Sequence, residues 1–170
     1  MLISGWIISA SYFLHLLATV AWIGGLVTLA LVVQPVLNRT VTAAQERARV
    51  LEAILKRFQP IANLSLAVLI LTGMVQTFTS RFYKGFLRLD NTWAQAIFLK
   101  HIAVLGMIIV AGYITFSVQP SLKRNALLIA NDLADERQIA RVQQQQARLT
   151  WINLVLSILV LLFTAIASAQ

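Results

Sequence analysis

The chain carries two histidines, His15 and His101, and each sits inside a long apolar run. His15 lies in FLHLLATVAWIGGLVTLALVVQP, residues 13–35, and His101 in AIFLKHIAVLGMIIVAGYITFSVQP, residues 96–120. A titratable group inside an apolar, helix-length run is costly and usually faces a bundle interior with a partner. Its nitrogens have two uses there: a hydrogen bond to a neighbouring helix, or coordination of a metal. Two such residues at matched depth favour a shared site. At helical spacing the face of His15 continues through Ala18, Thr19, Trp22 and Gly25. Small residues on that face leave room either for a flat macrocycle or for a closely packed helix.

The elements that must position these residues are membrane helices. The chain of 170 residues is 59% hydrophobic and 12% charged, against roughly 25% charged in a soluble domain. Four runs reach the roughly 20 apolar residues that a helical span needs: about 6–35, 60–78, 93–120 and 151–168. The expected fold is all-α, an integral membrane four-helix up-down bundle forming a single transmembrane domain over residues 1–170. The first connection, NRTVTAAQERARVLEAILKRFQP, and the third, SLKRNALLIANDLADERQIARVQQQQARLT, are rich in helix formers. The membrane helices are therefore expected to continue into water, with Thr40 or Thr42 capping one restart and Asn131 or Asp132 beginning the other. The second connection is short, with Gly85 as breaker and Phe82, Tyr83, Phe86 and Trp93 as interfacial aromatics.

The net charge of +8 follows the spans and does not mark a nucleic-acid partner. Arg39, Arg47, Arg49, Lys56 and Arg57 fall in the first connection, and Lys123, Arg124, Arg137, Arg141 and Arg148 in the third. The second holds Arg81, Lys84 and Arg88, with Lys100 just inside span three. The positive-inside rule then places both termini on the periplasmic or luminal side of a bacterial inner membrane or a photosynthetic internal membrane. The first basic residue is Arg39, so the opening run is not expected to be a cleavable signal peptide. There is no cysteine, which excludes thiolate sites and c-type haem attachment.

An internal echo orders the spans. VQPVLNR at 33–39 recurs as VQPSLKR at 118–124, and ANLSLAVLILT near Asn63 recurs as INLVLSILVLL near Asn153. The chain reads as two tandem copies of a helical hairpin, about 6–78 and 93–168. Spans one and three then run the same way, and His15 and His101 come to similar depth. Aligning the copies on VQP sets His15 opposite Lys100, one position before His101. Asn63, Asn153, Thr72 and Gln76 are the remaining polar groups in or near spans and are expected to bond between helices.

On ligand chemistry alone the pair His15 and His101 suits a b-type haem, with Trp22 and Gly25 beside it and Arg81, Arg88 and Lys100 neutralising the propionates. Copper is the alternative. The chain offers it no cysteine and only Met1, Met74 and Met107 as soft ligands. No paired membrane carboxylate, phosphate loop or nucleophile motif is present, so an enzymatic role is left open.

The segment HLLATVAWIGGLVTLALVVQP, with its His, Trp-hydrophobic-Gly-Gly and terminal Pro, resembles the first helix of the copper resistance D family, and FLKHIAVLGMIIVAGY resembles that family's later Lys-containing helix. The same pattern is more distantly similar to the four-helix, haem-binding membrane protoporphyrinogen oxidases, which carry a His in the first helix and a Lys in the third. That comparison matches His15 and Lys100 and makes His101 an addition. The expectation taken forward is a b-type haem protein in electron transfer or redox sensing. Against it stand three alternatives: copper transport or tolerance, oxidation of porphyrinogen-type substrates, and a non-catalytic subunit of a membrane complex. The lipid bilayer is a partner in every case. A redox partner protein, a homodimer or a larger assembly is left open.

Overall fold

A computed structural model describes residues 5–79, 92–131 and 135–169. All regular structure among them is helical. Four helices are long and apolar enough to cross a membrane: α1 (Gly5–Thr40), α2 (Ala44–Thr79), α3 (Thr92–Ile129) and α4 (Glu136–Ser168). The protein is an integral membrane four-helix bundle. Each helix overruns the apolar span that seeded it, as the uninterrupted helix formers in the first and third connections require.

Pro35 and Pro120 close apolar spans but do not end their helices, as the expected continuation into water requires. A proline lacks its N–H and its ring crowds the carbonyl four residues back. Both helices absorb this by widening into a π turn just before the proline, over Thr28–Val33 and Ile114–Val118. In each, the N–H of the glutamine ahead of proline donates five residues back, Gln34 to the Leu29 carbonyl and Gln119 to that of Ile114. Thr40 does not cap α2; its hydroxyl donates to the Val36 carbonyl at 2.8 Å, and the chain turns at extended Val41 (φ −109°, ψ 100°). The last helix starts at neither Asn131 nor Asp132. It begins at Glu136, capped by Asp135, whose side chain accepts the Arg137 N–H at 2.9 Å.

Helices α1 and α2 form one antiparallel pair and α3 and α4 the other, with α4 touching both members of the first pair. α1 and α3 are not among the closely packed pairs, which sets them at opposite corners. The two VQP segments lie at one end of the bundle, because Leu37 and Leu122 share a buried cluster with Leu29, Leu51, Leu55 and Val118. The parallel course of α1 and α3 is what a tandem duplication of hairpins requires.

Apolarity is distributed for lipid. Trp6, Val20 and Phe116 are 86%, 71% and 81% exposed, surface that a bilayer covers. The interior of α4 is polar along one stripe: Gln146, Thr150, Asn153 and Ser157 are all fully buried. Their spacing of four, three and four keeps them on one helical face. Trp22 reaches this stripe from α1, donating its indole N–H to Ser157 Oγ at 3.0 Å. The Ser157 hydroxyl donates onward to the Asn153 carbonyl at 2.7 Å and touches Met107 Sδ at 3.9 Å.

Candidate functional site

His15 is held by α2. Its Nδ1 lies 2.8 Å from Thr72 Oγ1. Thr72 sends its one hydroxyl hydrogen to the Val68 carbonyl at 2.6 Å. The threonine oxygen therefore accepts from the ring, and His15 carries its proton on Nδ1. That leaves Nε2 with its lone pair, the form in which imidazole ligates a metal. The ring is seated on small neighbours. A methyl group added at Gly73 would meet His15 Cε1 at 3.6 Å, and Thr19 Oγ1 donates to the His15 carbonyl at 2.8 Å. One turn outward, Ser11 Oγ donates to the Thr72 carbonyl at 3.5 Å and Gln76 Nε2 to the Ser11 carbonyl at 3.4 Å. A polar seam of Ser11, His15, Thr72 and Gln76 thus joins α1 to α2 at this depth, against a half-buried imidazole.

His101 makes a different bond. Its Nδ1 donates to the carbonyl of Ile97, one turn back on its own helix, at 2.6 Å. The depths of the two rings follow from the tryptophan layer. Trp22 and Met107 both meet Ser157, and the two histidines precede them by seven and six residues. At 1.5 Å per residue, both rings lie about 10 Å outward of that layer. The group brought into electrostatic reach of His15 from α3 is Lys100, which is half-buried. The alignment of the two VQP segments pairs these same two positions.

The other residues singled out in the sequence fall as follows. Trp22 is 2% exposed, with its N–H committed to Ser157. The space beside Gly25 is filled by a neighbouring ring: a Cβ there would collide with Phe58 Cε2. Of the two uses that a small residue on this face allowed, close packing is the one observed. Arg81 and Arg88 lie outside the described residues. No three His, Asp or Glu side chains converge among the described residues, so a closed four-ligand site of the zinc type is absent from them.

Two polar features extend beyond the polar residues singled out in the sequence, of which Asn63 does bond between helices, accepting from Thr115 Oγ1 at 3.4 Å. The first is the α4 stripe, whose four-three-four spacing was the available signal. Within it the side-chain oxygens of Asn153 and Gln146 are buried without a hydrogen-bond partner among the described residues. An unpaired buried acceptor costs about 1–3 kcal/mol. Asn153→Leu, which removes this acceptor at similar volume, is expected to raise stability by about 1 kcal/mol. The measurement is denaturant unfolding in mixed micelles, and a loss of stability would show that the Asn153 amide is satisfied. The second is a network across α2 and α3. Gln59 Nε2 donates to Asn63 Oδ1 and Thr115 Oγ1, both at 3.1 Å, and Gln119 Nε2 donates to Gln59 Oε1 at 3.5 Å.

No curated protein and no solved structure matches the chain. The family description "copper resistance protein D" matches residues 52–167, more than half of the 170-residue chain. The match takes in Thr72, Lys100, His101, Met107 and the α4 stripe, while His15 and the WIGG segment lie ahead of it. It backs copper rather than b-type haem as the metal chemistry to be explained, and by it the chain belongs to the copper resistance protein D family.

Proposed function

We propose that this protein handles copper within the membrane, in copper transport or tolerance, and that His15 is the residue through which it does so. The observation that carries the reading is the His15–Thr72 bond, which fixes the tautomer and leaves Nε2 as a ligand. A histidine whose second nitrogen is held by a neighbouring side chain is the usual form of a metal-bound imidazole. The donor set fits monovalent copper better than metals that demand four hard ligands. It offers imidazole nitrogens and no converging carboxylates among the described residues. Copper is here the cargo. His101 is the second ligand in this proposal, at matched depth on α3. Lys100 sets the charge near the site and disfavours an added cation when protonated, so it acts as a gate on occupancy.

The test is copper content and optical spectrum of the purified protein in detergent, loaded with Cu(I) under reducing conditions. The wild type is expected to retain copper. His15→Ala is expected to lose it, and Thr72→Val, which removes the oxygen accepting from Nδ1, to weaken retention about 10–100-fold. Copper retained equally by His15→Ala would overturn the assignment. A Soret band with sharp reduced α and β bands in the protein as isolated would return the site to haem.

A further inference from the structure

A cavity of about 270 Å³ opens at the VQP end of the bundle, far from His15, between the last turns of α1, the first turns of α2 and the water-side part of α4. Its walls are Gln34, Asn38, Arg47, Gln143 and Gln144, with Leu37, Leu51, Ala140 and Ala147 beneath them. Five of nine lining residues are polar, one is a cation and none is a carboxylate. The arginine is aimed. Gln143 uses both ends of its amide, accepting from Arg47 Nε at 3.1 Å and donating to the Ala44 carbonyl at 3.5 Å. This fixes the guanidinium while committing only one of its five N–H groups. The other four have no acceptor among the described residues.

We infer that this cavity is a binding site for an anionic oxygen group of the phosphate class. A cation is excluded by Arg47 and by the absence of an acidic wall. An apolar ligand would cover the guanidinium of half-buried Arg47 and the amide of half-buried Gln34 without pairing them, which costs free energy. A phosphate accepts from all of them, and the planar guanidinium fork matches its geometry. The setting agrees. Pro35 and Asn38 close the apolar run of α1, and the basic residues of the first and third connections gather at this end. Phosphate reaches such a position either as the headgroup of an anionic phospholipid or as a soluble ion. The site is separate from the copper reading and stands without it.

The experiment is native mass spectrometry of the full chain released from micelles containing equal phosphatidylglycerol and phosphatidylcholine, repeated with millimolar inorganic phosphate. The wild type is expected to keep phosphatidylglycerol preferentially. Arg47→Gln should lose that preference about tenfold, the size of one charge-assisted pair. Arg49→Gln, one position past the intervening Ala48 and exposed, should not. Asn38→Ala leaves the Arg47–Gln143 bond intact and should lower retention if Arg47→Gln proves unstable. Displacement of the lipid by inorganic phosphate assigns the site to the soluble ion, and persistence assigns it to the headgroup. Equal retention by Arg47→Gln and wild type, or equal loss in Arg47→Gln and Arg49→Gln, overturns the site.

Discussion

Trp22→Ala is expected to destabilise the bundle by about 3–5 kcal/mol. Trp22 is 2% exposed and packs with Leu26, Ala30, Ala62, Leu66, Met107, Ala111 and Leu154, residues drawn from all four helices. In lipid the transfer of apolar surface from water is not the driving force, so the loss comes from van der Waals contacts and from the cavity left behind. The indole N–H is also the bond that ties α1 to the polar stripe of α4. Truncation leaves Ser157 Oγ without its donor at the centre of the bundle. Trp22→Phe separates the two contributions: it keeps most of the ring and loses only the bond, at about 1 kcal/mol. Unfolding in mixed micelles gives the ordering, with Val20→Ala on the lipid-facing side as the reference. A Trp22→Ala shift no larger than that of Val20→Ala would contradict the packing described.

Gly25→Ala and Gly24→Ala should move stability in opposite directions. The two glycines are adjacent in α1, and an added methyl at Gly24 meets nothing within 4 Å. There the substitution gains helix propensity, about 0.5–1 kcal/mol. At Gly25 the methyl would collide with Cε2 and stand 2.7 Å from Cζ of Phe58. The ring or the whole of α2 must withdraw, and overpacking of this kind costs about 1–3 kcal/mol. A second substitution tests the cause. Phe58→Leu, costly alone, should recover most of the loss in the Gly25→Ala background. Equal effects at the two glycines would mean that Phe58 does not seat on Gly25.

The number of spans, their overrun into the connections and the parallel course of α1 and α3 were legible because each rests on a signal that lipid does not erase. Those signals are runs of apolar residues, uninterrupted helix formers and a repeated VQP. The rotation of each helix was not legible. Lipid-facing and core-facing positions are both apolar here, so the usual amphipathic period is absent and only the sparse polar residues report the inner face. Thr72 was seen as a polar residue in a span, but nothing in the sequence alone attached it to His15. The alignment of the repeats set His15 opposite Lys100, although the residue expected to face it was His101. The π turns were not legible, because nothing in the apolar runs ahead of Pro35 and Pro120 marks where a helix widens. The cavity at the VQP end was invisible, as Gln34, Asn38 and Arg47 belong to the end of one helix and the start of the next.

The π turns ahead of Pro35 and Pro120 set a rotational phase. A π turn holds one residue more than the α turn it replaces, and one residue is about 100° of helical rotation. The outer and inner segments of α1 and of α3 are therefore two rods keyed together at a fixed offset, like the halves of a combination lock. Leu37 and Leu122 lie in their shared cluster with the extra residue present. Deleting one residue within Thr28–Val33 would yield a more regular helix, and it would swing Leu37, Asn38 and Gln34 to a different side while leaving His15 and Trp22 where they are. The histidine end and the cavity end of the protein are locked in angle by an irregularity, and smoothing it would uncouple them.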